Sequence, residues 1–261
     1  MRLPARRLAA ALALVLLGRT PALLSQQPAR RVELAAFHHR VTRDFGHWSG
    51  LTARFTAAGA GGAWYVDARA QRAFRDEGVY GALTHVRDLS RRLYVSLGAG
   101  GGTGSFVLPD LRADLGLHWK VGAGGRVVLS LGGTYVDSKR GFEDWAGSAG
   151  LTWYASDRVV LELGGRLNWS DPGDVRSERA QASATFGRTG GRVVVLRGSA
   201  GREGYQLTGV VATLRRFESQ EVELLWQEPL GGGVGLAAGA VWYHNPFYTR
   251  AGGSLGLAYA W

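Results

Sequence analysis

Cysteine is absent from the 261 residues, which excludes disulfides and thiolate metal sites. After residue 25 no apolar run approaches the roughly 20 residues that a membrane-crossing helix needs. Nor is there a 3.6-residue apolar period from Arg31 onward, so helices are not the building elements. Charge of one sign is scarcer than the formal +10 suggests. Residues 1–25 hold four arginines and no acid, so the 31 basic and 21 acidic residues of the whole become 27 against 21, net +6. At that balance a nucleic-acid surface loses its main support, and no nucleic-acid partner is expected.

Glycine is what the chain has in excess. Its 40 residues are roughly twice the usual share of ~7%. Glycine weakens helix interiors through its backbone entropy, so its abundance beside Val, Leu, Trp and Tyr leans towards β structure. The N-terminus carries a different signal. Arg2, Arg6 and Arg7 precede the ten-residue apolar run Leu8–Leu17, and small residues follow between Thr20 and Ser25. That is the layout of a secretory signal peptide, expected at residues 1–25, with 26–261 as the exported domain.

The rest alternates with period 2 in segments of about 9 to 13 residues. In Leu111–Val121, Leu111, Ala113, Leu115, Leu117, Trp119 and Val121 share one face, while Arg112, Asp114, Gly116, His118 and Lys120 share the other. Val159–Trp169 and Ala251–Trp261 repeat the pattern. Such segments are long for strands of soluble proteins, with a mode near five or six, but match tilted membrane-spanning strands. The expectation is an all-β fold: a single transmembrane antiparallel β-barrel of about 14 strands, with 12 as fallback if the first pair, with its His38-His39-Arg40 run, lies outside the wall. Connections after even strands look tight, as in Ser156-Asp157. Several after odd strands are longer: 104–110, 138–143, 171–175 and a long one from Arg202 to Glu218. Short turns on one rim and longer loops on the other fit periplasmic and extracellular ends. Aromatics fall into two girdles. Trp64, Trp119, Trp153, Phe186, Trp226, Tyr259 and Trp261 are expected at the periplasmic rim. Phe74, Tyr135, Trp145, Trp169 and Trp242 are expected at the outer rim.

The closing residues 254–261, SLGLAYAW, resemble the signal that barrel precursors present to the outer-membrane assembly machinery, with Gly256, Tyr259 and Trp261 at its key positions. Physically, a last strand must be recognised as an open edge with its apolar residues on one face. The opening strand Val32–Val41, the run Ser105–Asp110 followed by Leu111–Asp114, and the Asn245-Pro246-Phe247-Tyr248 hairpin together resemble the YaiO family of outer-membrane β-barrels. That resemblance implies residence in the outer membrane of a Gram-negative-type bacterium. It also carries the expectation of a link to surface-polysaccharide export. Expected partners are membrane lipids, the barrel assembly machinery, and polysaccharide or small solutes as cargo.

Candidate chemistry is sparse. Gly252–Gly256 contains a Gly-x-Ser-x-Gly pattern, but inside the last strand with no histidine after it, whereas a hydrolase needs a strand–turn–helix elbow. The glycine-rich 98–104 lacks the Gly-Lys-Ser/Thr ending of a phosphate loop. His38 and His39 are adjacent and so point to opposite faces; no metal-ligand spacing occurs, and no cofactor or metal is expected. A rim Ser–His enzyme acting on lipid or acyl chains is the alternative, with Trp145, Ser148, His85 and His244 as its material and no spacing that joins them. The residues expected to face the lumen are Arg54, Asp67, Arg69, Arg112, Asp114, His118, Glu162, Arg166, Glu221 and Glu223. Charges of both signs there either pair across strands or line a water-filled path. The 202–218 segment either folds into the lumen as a constriction or extends two strands above the membrane. The expected function is a passive channel or export-associated pore without catalysis.

Overall fold

The computed structural model describes residues 30–261, apart from 140, 189 and 207–212. The expected signal peptide lies outside the described residues. Fourteen strands follow one another along the chain. They are β1 (Arg30–Val41), β2 (His47–Gly59), β3 (Gly62–Ala73), β4 (Asp76–Asp88), β5 (Leu93–Gly102), β6 (Leu111–Val121) and β7 (Val127–Asp137). After them come β8 (Glu143–Ser156), β9 (Val159–Asp171), β10 (Val175–Gly187), β11 (Val193–Gln206), β12 (Thr213–Gly231), β13 (Val234–His244) and β14 (Thr249–Ala260). Each pairs antiparallel with its sequence neighbours, and β1 pairs with β14 to close the cylinder. The fallback of 12 strands is therefore set aside: β1 sits between β2 and β14 with full ladders on both sides. Closure satisfies every strand's backbone groups within the wall, which lipid demands. A 12-residue strand such as β1, tilted by about 45°, spans about 28 Å, close to the hydrocarbon thickness.

Alternation decides which way each residue faces. Leu34 (59% exposed), Leu131 (63%) and Leu163 (64%) stand on the outer surface with most of the chain's large apolar side chains. In water such a coat would aggregate; in lipid it is the required exterior. Trp64, Trp119, Trp153, Phe186, Tyr259, Trp261, Trp145, Trp169 and Trp242 are exposed on this face near strand ends. Phe74 departs from the expected girdle. It lies in the two-residue β3–β4 turn, where Phe74 and Arg75 both take positive φ (52° and 65°), and its ring is 5% exposed inside the mouth. Positive φ at both central positions matches the right-handed twist of the flanking strands. Burial of the ring against Phe45, Trp48 and Tyr248 offsets the strain of a non-glycine there.

The 202–218 segment resolves mostly into wall. Residues 202–206 belong to β11 and 213–218 to β12, with a register shift between Glu203 and Tyr205; the apex lies outside the described residues. The loop that turns inward is 103–110, between β5 and β6. Phe106, Val107 and Leu108 are buried. Gly102 donates its N–H to the Pro109 carbonyl at 2.8 Å, and Thr103 to that of Val79 at 2.8 Å. Phe106 and Val107 join Val41, Trp48, Ala73, Phe74, Tyr243 and Tyr248 in one apolar cluster. That cluster lines the outer mouth on the side where the barrel closes. A smaller cluster of Val86, Tyr94 and Val128, with Tyr65 and Tyr154 against it, occupies the opposite end.

Candidate functional site

The inward face between the two apolar clusters is polar. On β2 and β3, Arg54 Nε meets Asp67 Oδ1 at 2.6 Å. Arg112 and Asp114, two residues apart on β6, form a two-pronged pair at 2.6 and 2.7 Å. The Thr134 hydroxyl donates to Asp114 at 2.9 Å, and Arg166 donates to Thr134 at 3.2 Å, so one network crosses β6, β7 and β9. His118 stacks on Tyr94 at 4.5 Å and sits between the hydroxyls of Ser96 (3.1 Å) and Ser130 (2.9 Å). Glu162 accepts the Ser183 hydroxyl. Glu221 accepts from Arg250 at 2.7 Å, and Glu223 from Arg197 at 3.2 Å. Arg69 lies over the Phe37 ring at 5.3 Å and bonds to Gln71. Opposite charges taken out of bulk water hold together strongly only when geometry and hydrogen bonding are good, and bridging hydroxyls supply the extra bonds here.

Three further inward arginines belong to this lining: Arg179, Arg197 and Arg250. Arg179 donates to Glu203 at 2.8 Å and to Ser199 at 2.7 Å. Its strand, β10, reads VRSERAQASATFG. With so few large apolar residues its phase is hard to read from sequence, and only pairing with β9 and β11 fixes it. Arg197 was legible, alternating with outward Leu196. Arg250 stands at the start of β14, where alternation has barely begun.

From β5 to β10 the middle level of the interior is nearly bare: Ser96, Gly116, Gly132 and Ser148 stand side by side in successive strands. Ser130, Gly150, Gly164 and Gln181 form the next row. Ser148 and Gln181 point inward yet remain exposed to solvent. Around these two short rows the same strands carry Tyr94, Arg112, His118, Glu162, Arg166 and Arg179, and further arginines, glutamates and rings line the interior from β11 round to β3.

Material for an enzyme is not gathered. Ser148 points inward from β8. His85 lies outside on β4, stacked on Trp64 at 4.0 Å, and His244 ends β13 against Thr249. Ser254 of the Gly-x-Ser-x-Gly pattern lies within β14, paired with Phe37 and Gly239. Among the described residues no group of three metal-ligating side chains occurs. At the seam, Gly256 backs onto Ala35 of β1. Tyr259 and Trp261 stack outside at 5.5 Å.

Comparison with known proteins places this geometry. A family model described as the YaiO membrane beta barrel domain matches residues 29–206. No curated protein matches the sequence significantly. Among solved structures, the CymD monoaromatic hydrocarbon channel aligns over 91% of this chain and 90% of its own, with TM-score 0.63 and 9% identity. An outer membrane channel from Pseudomonas putida F1 aligns over 89% and 94%, with TM-score 0.56 and 12% identity. A bacterial polysaccharide outer membrane secretin aligns over 90% and 99%, with TM-score 0.54 and 8% identity. At these identities the likeness is one of fold.

Proposed function

The chain belongs to the YaiO family of membrane β-barrels, and from that premise we propose that it is a passive pore across the bacterial outer membrane. Its outer-membrane residence accords with the channels that share its architecture. One observation carries the reading: the bare, hydroxyl-lined interior wall from β5 to β10, with Ser148 and Gln181 open to solvent inside the cylinder. A barrel that served only as an anchor could fill that volume with side chains, as small barrels do. Here the large groups that border the bare rows are tied to one another, as Arg112 is to Asp114 and Arg179 to Glu203. Water and small polar solutes can then follow the bare rows, with bordering charges such as Arg112, Asp114, Glu162 and Arg166 setting selectivity. No turnover is part of this reading, because among the described residues no nucleophile, base and oxyanion donors converge. Cargo is taken to be small and polar; polysaccharide passage is the extension of the same reading that the family resemblance suggests.

The test is single-channel recording of the purified barrel in a planar bilayer, alongside a variant with residues 104–109 replaced by a short glycine-serine turn. The expected outcome is discrete steps from the intact protein and larger steps from the shortened one. A silent bilayer with both proteins overturns the pore.

A further inference from the structure

Inward side chains of β1, β2, β3 and β14 meet just beneath the aromatic lining of the outer mouth. Trp48 Nε1 and Arg69 Nη1 both donate to Gln71 Oε1, each at 3.4 Å. The amide of Gln71 is thereby oriented, and its Nε2 is left buried without a partner, in a residue 6% exposed. Arg250 lies 4.4 Å over the Trp48 ring and gives Nη2 to Glu221 at 2.7 Å, yet its Nε is buried and unpaired. His39, whose ring lies edge-on to Trp48 at 6.3 Å, keeps a buried and unpaired Nδ1. Nearly all buried polar groups in folded proteins find partners, so three orphans in one cluster call for an explanation.

Charge points the same way. On this side of the interior Arg179 pairs with Glu203, Arg197 with Glu223 and Arg250 with Glu221. Among the described residues Arg69 makes no ion pair, so with the Arg54–Asp67 pair beside it five cations face four anions. The rings that frame the cluster are held firmly. Phe37 and His39 lie on bare backbone at Gly50 and Gly252, where an added Cβ would stand 2.8 and 2.6 Å from them. A group entering from the interior therefore meets an excess of one positive charge, and reaches the buried donors by parting the side chains that cover them.

We propose that this cluster binds the carboxylate of a small solute. A carboxylate carries one negative charge and two oxygens able to accept several N–H bonds. It would take donors from Arg69, Gln71 Nε2 and Arg250 Nε and bring the local charge to balance. A phosphate dianion would overshoot that balance, and a neutral sugar would leave Arg69 uncompensated. The inference rests on the pore reading, since a solute reaches the cluster through the barrel interior.

Isothermal titration calorimetry on the purified, detergent-held barrel tests it, with D-galacturonate, D-galactose and inorganic phosphate as probes. Saturable binding of galacturonate is expected, with none for galactose and weaker binding for phosphate. Arg69→Gln should weaken galacturonate binding at least about tenfold, because a charge-assisted donor is lost; far-UV circular dichroism checks that the barrel is intact. If that variant does not fold, Gln71→Leu takes its place, with a loss of about fivefold expected. Equal binding of galactose, phosphate binding as tight as galacturonate, no binding at all, or a folded variant with unchanged affinity each overturns the site. A barrel that conducts in a bilayer but binds no galacturonate loses only the site. One that binds but never conducts loses only the pore.

Discussion

Asp76, the first residue of β4, accepts three successive backbone N–H groups from the inward loop: Ser105 at 2.7 Å, Phe106 at 2.9 Å and Val107 at 2.8 Å. Three backbone N–H groups on one carboxylate make a strong clasp, because hydrogen bonds to a charged acceptor are stronger than neutral ones. One carboxylate thus fastens the segment that narrows the outer mouth. Losing a hydrogen bond to a charged group costs about 1.5–3 kcal/mol, while the pairing of Asp76 with Ala73 in the wall uses its backbone and not its carboxylate. Asp76→Asn should leave the barrel folded and let the loop swing. In planar-bilayer recordings, larger and noisier steps than wild type are expected. Unchanged steps would mean that apolar packing of Phe106 and Val107 suffices.

At the scale of the strand, pairing on both edges makes β1 as essential as any interior strand. Ala35 lies opposite Thr52 on β2 and Gly256 on β14. Proline there deletes an N–H and cannot be housed in a strand flanked on both sides. Ala35→Pro is expected to prevent closure, read as loss of the folded band in semi-native gel electrophoresis after refolding into detergent micelles. A folded band of wild-type intensity would contradict the ladder. Strands were the legible part of this sequence. Where large apolar residues alternate strictly, as in β6 (Leu111–Val121), both the boundaries and the facing of Arg112, Asp114 and His118 could be read from the chain. Two things could not. Facing fails where a strand is small and polar throughout, and Arg179 on β10 was missed for that reason. Loops carry no periodicity either. The inward turn of 103–110 depends on Asp76, 29 residues upstream of Ser105, and Phe74 is drawn inside by that same long-range packing. The Arg69–Gln71–Arg250 cluster brings together β3 and β14, the third and last strands, which only closure makes near neighbours.

Over the whole molecule, the bare rows of small residues between β5 and β10 are what give the pore reading its content. If solutes pass along these rows, filling them must matter more than filling the paired surroundings. Ser148 stands in one of these rows, between Gly132 and Arg166. Ser148→Trp should lower conductance by about half or more, because a ring would occupy the water path, while thermal stability changes little. Conductance equal to wild type would place the path elsewhere.

Because each strand is bonded on both flanks and the chain reverses direction at every turn, this cylinder has no intermediate circumference. Deleting one strand would leave two parallel-running neighbours and strand the chain's end on the wrong side of the bilayer, so a bacterial barrel of this kind changes size most readily by whole hairpins. Between such jumps the diameter is effectively quantised. Variation is then left to the rim segments and to the residues pointing at the axis, which can diverge in sequence almost without limit while the outline of the molecule stays recognisable.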